Sequence, residues 1–122
     1  MIDPDTVRTS RDSGLTVGVA TPAAGLTVVT LGGQLDAVAA SDLRARLDES
    51  DIAGCPQIVF DLAAVDFVDS AGLAVLVWQR RSCRAHGGDV VLVRPDSDNA
   101  MRVFRLTQFD QIFRMLPQQQ DD

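Results

Sequence analysis

The stretch Ile58-Val59-Phe60-Asp61-Leu62-Ala63-Ala64-Val65-Asp66-Phe67-Val68-Asp69-Ser70-Ala71-Gly72-Leu73 sets an unbroken apolar run against the start of a helical pattern. Ile58–Phe60 shows no polar alternation, which reads as a strand buried on both faces of a helix-covered sheet. That strand is expected to end near Leu62 and to give way to a loop carrying Asp66 and Asp69. From Ser70 onward, Leu73, Leu76 and Val77 fall at helical spacing, with Gln79, Arg80, Arg81 and Arg84 crowding the far end. Cations there complement the helix dipole, and Gly87-Gly88 stops the helix. A buried strand feeding a helix of this kind predicts an α/β domain.

The flanking sequence extends the alternation. Upstream, Leu15, Val17 and Val19 alternate with Thr16, Gly18 and Ala20, the pattern of a half-buried strand. Pro22-Ala-Ala-Gly25 is turn material, and Leu26–Leu31 returns as a second strand, making an antiparallel hairpin. Gly32-Gly33 is expected to break that strand. After Asp36, Ala39–Glu49 places Leu43 and Leu47 one turn apart with Arg44, Arg46 and Asp48 outward; Gly54 and Pro56 end this first helix. Downstream, Val90–Val93 repeats the buried-strand pattern. A third helix spans roughly Asn99 to Leu106, capped by Ser97 or Asp98, and Ile112–Leu116 reads as a last edge strand or a short helix. The expectation is one α/β domain over residues 14–116, a mixed four- to five-stranded sheet with helices packed against it. Residues 1–13 and 117–122 read as polar, flexible tails.

Composition narrows the function. A chain of 122 residues and 46% apolar content is the size of one domain and buries a core without disulfide staples. Eleven basic residues, all Arg, face seventeen acidic ones, of which only Glu49 is not Asp; the net charge is −6. This balance argues against binding nucleic acid or an anionic membrane and favours a basic partner patch. No apolar run is long enough to span a bilayer, and the N-terminus Met1-Ile-Asp-Pro-Asp5 lacks a signal peptide's basic start, so the expected compartment is the cytoplasm. Cys55 and Cys83 are too few for a disulfide scaffold and read as separate thiols.

Two readings attach to Ser70. As a helix cap, its hydroxyl would accept from the amide of Gly72 or Leu73. As a modification site, it would take a phosphoryl group worth about −1.5 to −2 charges on a turn kept open by the small Ala71 and Gly72, close in sequence to Asp66 and Asp69. Asp36 likewise reads as a cap for the first helix or as part of a contact surface, and Asp69 as a cap or as a residue orienting the Ser70 hydroxyl.

The residues Gly33-Gln34-Leu35-Asp36 and Phe67-Val68-Asp69-Ser70-Ala71-Gly72-Leu73 together resemble the Gly-x-Leu-Asp and Asp-Ser-x-Gly-Leu signatures of the anti-sigma factor antagonists (anti-anti-sigma factors) of the STAS-domain superfamily. Gly87-Gly88, Arg102–Leu106 and Ile112-Phe113 follow in matching order, so the similarity covers about residues 15–116. The resemblance implies a partner switch. The unmodified protein binds an anti-sigma factor that is also a serine kinase, and the sigma factor is released. Phosphorylation at Ser70 ends the binding, and a metal-dependent phosphatase of the PP2C type restores it. It implies partner contacts at Asp36, Asp69, Ser70, Ala71 and Gly72, with no catalysis, cofactor or metal of the chain's own. Ala71 departs from the second hydroxyl that many relatives carry. An alternative within the same fold is a stand-alone STAS subunit of a transporter or stress-sensing assembly.

The remaining signals read as structural. His86 beside Gly87-Gly88 reads as a solvated turn residue, no Ser-His-Asp triad could be completed except through it, and no Gly-x-Ser-x-Gly elbow is present, which weighs against a hydrolase using Ser70. No HExxH, paired-Cys or P-loop motif is present. Trp78 reads as core or half-core, and Phe104, Phe109 and Phe113 as core.

Overall fold

A computed structural model describes residues 8–9, 14–49 and 57–117. Strand β1 is only Arg8–Thr9, and it pairs antiparallel with β2, Leu15–Ala23. It falls inside the stretch read as an N-terminal tail. In β2, Leu15 and Val17 are buried while Thr16 and Gly18 are half-buried, as the alternation requires. β2 pairs antiparallel with β3, Leu26–Leu35, and the register slips between Ala20 and Ala23. Pro22 sits in that slip, where a residue without an N–H does least damage to a ladder.

Each later strand is parallel to its predecessor. β3 leads through α1, Ala37–Glu49, to β4, Gln57–Val68; β4 leads through α2, Ser70–Ala85, to β5, Asp89–Val93. β5 leads through α3, Asp98–Leu106, and a 3-10 turn at Phe109–Gln111 to β6, Arg114–Leu116. The sheet order is β1-β2-β3-β4-β5-β6. This is the mixed sheet of a single α/β domain, five strands of three residues or more with the two-residue β1 at the edge. The last segment, Ile112–Leu116, is an edge strand from Arg114 on, and the short helical turn lies just before it at Phe109–Gln111.

One core holds it together. Leu15, Val17, Val29, Leu31, Ile58, Phe60, Leu62, Val90 and Leu92 form its sheet side. Leu43 and Leu47 of α1, Leu73 and Leu76 of α2, and Met101 and Phe104 of α3 close over it. Gln79 is 1% exposed despite its place in a polar run. Its Nε2 donates to Cys83 Sγ at 3.7 Å, one turn on, which satisfies an amide in an otherwise apolar interface. Phe104 and Phe113 are buried and Phe109 is half-buried, so the three aromatics are core as read. No described helix is long and apolar enough to cross a membrane.

Four expectations are corrected. β3 does not break at Gly32-Gly33; it runs on to Leu35. Gly33 sits at φ +95°, where a side chain is strained, and a Cβ would lie 2.0 Å from the Gly14 carbonyl oxygen, so glycine lets the strand continue past a close neighbour. β4 does not end near Leu62 but reaches Val68, because its extended end still pairs with β3 through Leu35. Nor is β4 buried on both faces: Ile58, Phe60 and Leu62 are buried, whereas Gln57, Val59 and Asp61 are half-buried. An aliphatic at an intermediate position made a one-sided strand look two-sided. Helix α1 starts two residues before Ala39, and its expected stops at Gly54 and Pro56, like Cys55, lie outside the described residues.

Candidate functional site

Because β3, β4 and β5 are parallel, α1, α2 and α3 all begin at the same edge of the sheet, the carboxyl ends of the strands. Ligands of open α/β sheets bind outside that edge. Each helix start needs acceptors for its orphan amides. Asp36 supplies one: its Oδ1 accepts from Ala39 N at 3.0 Å, while its carbonyl accepts from Ala40 N at 2.7 Å. Asp69 supplies the next: its Oδ1 accepts from Gly72 N at 3.0 Å, and its carbonyl accepts from Leu73 N at 3.0 Å. Ser97 Oγ accepts from Ala100 N at 3.3 Å for α3.

These bonds show which residues cap the helices. Asp36 caps α1. The cap of α2 is Asp69 and not Ser70, since Asp69 has the extended backbone of a cap (φ −117°, ψ −174°) and Ser70 is already the first helical residue. The Ser70 hydroxyl is thereby left out of the capping bond, and the residue is exposed. Ser97 takes the third cap, one of the two residues expected for it. Removing the α2 cap has a calculable consequence. Asp69→Ala is expected to lower unfolding stability by about 1 kcal/mol and Asp69→Asn by much less. Urea denaturation of the three proteins measures both.

The two acidic caps are brought together by β3 and β4. Leu35 pairs with Val68, and the Leu35 carbonyl accepts from Asp69 N at 3.3 Å. Gly72 presses on the same carbonyl: a Cβ there would lie 2.4 Å from Leu35 O and 2.8 Å from Leu35 Cγ. The space that the small residue was expected to leave for another molecule is filled by Leu35 of the same chain, and Gly72 is buried. Ala71 is half-buried against the core. Asp66, expected in a loop, lies within β4, two residues before its end, as an exposed residue whose carbonyl accepts from Asn99 Nδ2 at 3.1 Å, tying α3 to this edge.

The electrostatics are one-sided. No Lys or Arg occurs in residues 32–43 or 57–79, whereas Asp36, Asp42, Asp61, Asp66 and Asp69 do. Two apolar residues flank the caps and were missed by periodicity: Val38, 52% exposed, and Phe67, 40% exposed. Each follows the local pattern of a core residue, and only burial separates them from one. Among the described residues, no cluster of three or more His, Cys, Asp or Glu could hold a metal. His86 is exposed beside its glycines, with Nδ1 2.9 Å from the Ser82 carbonyl oxygen. Trp78 is half-buried, with the Arg44 guanidinium 4.5 Å from its ring centre.

Comparison with known proteins adds the family. Residues 19–121 match the STAS domain. An anti-sigma F factor antagonist of Paenibacillus polymyxa is 29% identical over 94 residues, 76% of this chain and 77% of that protein. The crystal structure of an anti-sigma factor antagonist from Mycobacterium paratuberculosis superposes with a TM-score of 0.74 at 28% identity, covering 91% of this chain and 92% of the other. The unphosphorylated anti-sigma factor antagonist SpoIIAA gives 0.72 at 22% identity over 85% and 89% of the two chains, a likeness of fold.

Proposed function

Because the chain belongs to the STAS domain family, we propose that it is an anti-sigma factor antagonist whose binding is switched off by phosphorylation of Ser70. The observation that carries the reading is the exposed Ser70 on the first turn of α2, between a cap that does not use its hydroxyl and no nearby cation in sequence. The similarity to the Paenibacillus polymyxa antagonist and to the Mycobacterium paratuberculosis structure supports it.

In this reading the chain is ligand and substrate. Its docking surface is the edge that holds Asp36, Asp69, Ser70 and Ala71, with Val38 and Phe67 as apolar contacts. Gly72 acts from beneath by letting α2 sit against Leu35. The partner is an anti-sigma factor with serine kinase activity and a basic patch that matches the carboxylates. The Ser70 oxygen attacks the γ-phosphorus of the partner's ATP, the bond from that phosphorus to the bridging oxygen breaks and ADP leaves, and the hydroxyl proton passes to a base on the kinase, since phosphoryl transfer needs positioning more than covalent help. A PP2C-type phosphatase returns the hydroxyl. The sign of the switch follows from the caps. Asp69 already occupies the anion position at Gly72 N, so the added phosphate finds a carboxylate where a helix start would otherwise welcome it.

In vitro transcription tests the binding half. A sigma factor held inactive by its anti-sigma kinase is expected to regain promoter-specific transcription when this protein is added in excess. Unchanged transcription, with a complex also undetectable by calorimetry, overturns the reading.

A further inference from the structure

A groove of about 750 Å³ runs along the outer side of α2, opposite the turn that follows α3. Leu73, Ala74, Val77, Trp78 and Phe109 line it, and it opens at one end on Ser70 and at the other on Arg81. Eleven residues of helix separate those ends, about 16 Å at 1.5 Å per residue. The volume lies in the range of small-molecule sites, which are mostly apolar with few charged groups.

The charge at the Arg81 end gives the groove its chemistry. Arg80 and Arg84 both lie near Asp89, at 3.6 and 3.7 Å. Arg81, between them in sequence, has no carboxylate within ion-pair distance among the described residues, although acids outnumber bases seventeen to eleven. An exposed guanidinium at the mouth of an apolar trough offers a two-pronged donor to a planar anion. The trough wall is held in place, since Trp78 packs under Arg44 and Phe109 against Phe113 at 6.4 Å between ring centres.

We propose that this groove binds a free, unbranched aliphatic carboxylate, its chain along Leu73, Val77, Trp78 and Phe109 and its head group on Arg81. The groove borders the docking surface at Ser70, but the proposal does not rest on the partner reading above and its test needs no kinase.

Trp78 is the only tryptophan, so its fluorescence reports the groove directly. Monomeric laurate, whose extended length is of the order of the groove, is titrated into the full chain below its micelle concentration, with calorimetry giving stoichiometry. The expected result is a saturable change at one site per chain. Arg81→Gln is expected to weaken laurate about tenfold while leaving the neutral alcohol dodecanol unchanged. Ala74→Phe, at an exposed position and with circular dichroism to check that the fold is retained, is expected to fill the trough and abolish the response to both. The proposal is overturned by an absent or non-saturable response, by equal laurate binding in Arg81→Gln, or by a response that survives Ala74→Phe. Binding to anionic vesicles in place of monomeric laurate overturns it as well.

Discussion

Ser70→Ala is expected to take no phosphoryl group from the cognate anti-sigma kinase with Mg-ATP, while binding that kinase within about twofold of the unaltered protein; Ser70→Glu is expected to bind at least tenfold more weakly. The first half follows from geometry. The capping bond of α2 belongs to Asp69, so losing the Ser70 hydroxyl leaves that bond in place. The second half follows from where the charge lands. A glutamate adds one negative charge, and a phosphate about −1.5 to −2, next to Asp69 and near the Asp36 cap. In water, two unit charges a few ångströms apart repel by on the order of 1 kcal/mol. Docking removes that water. At an effective dielectric nearer 20 the same repulsion rises to about 4 kcal/mol. The free protein therefore tolerates the modification and the complex does not, as a reversible switch requires. Since 1.4 kcal/mol is a factor of ten in affinity, even a partly desolvated glutamate exceeds the tenfold threshold. Mass spectrometry of the kinase reaction and calorimetry on the two variants decide it. Labelling of Ser70→Ala means another residue accepts the phosphoryl group, and a Ser70→Glu that binds as tightly as the unaltered protein removes charge as the switching agent.

How much of this was legible from the residues depended on the range of the interaction. Elements set by local pattern were readable: the Leu15–Val19 alternation, the helical stripe of Leu73, Leu76 and Val77, and the Ser97 cap. Asp36 could be assigned as a candidate cap because its partner amide is three residues away. Features set across the sheet were not readable. The length of β4 depends on Leu35 pairing with Val68, a contact between residues 33 positions apart. Ser70 and Asp69 are both good capping types, one residue apart, and nothing local ranks them. What decides is that Asp69 N is bonded to Leu35 O, which fixes the extended backbone of Asp69 and starts the helix after it. The burial of Gln79 was hidden for the same reason, since its position on α2 faces the core while its chemistry matches the arginines beside it. The groove of α2 was not legible because Val77 and Trp78 look like core at helical spacing, whereas in the fold both are half-buried and line it.

Gly72→Ala is expected to destabilise the fold by about 2 kcal/mol net, lowering the melting temperature by roughly 7 °C. Two effects oppose each other. Alanine is the better helix residue, by at most about 1 kcal/mol in a helix interior and by less in a first turn. Against it stands a Cβ 2.4 Å from the Leu35 carbonyl oxygen and 2.8 Å from Leu35 Cγ. The Leu35 oxygen is backbone in a parallel ladder and also accepts from Asp69 N, and the Leu35 side chain is fully buried, so neither can step aside without loosening β3 or lifting α2. The clash wins by a margin of about 2 kcal/mol. Its consequence is local as well as global, because the start of α2 is what aims Ser70 and sets Asp69 beside Asp36. A protein that still folds is therefore expected to lose partner affinity along with stability, whereas Ser70→Ala loses neither. Thermal and urea unfolding, paired with calorimetric titration of the anti-sigma kinase, measure both effects on one sample. A Gly72→Ala protein as stable as its parent would mean that α2 sits farther from β3 than described, and that the placement of Ser70 does not depend on this close approach.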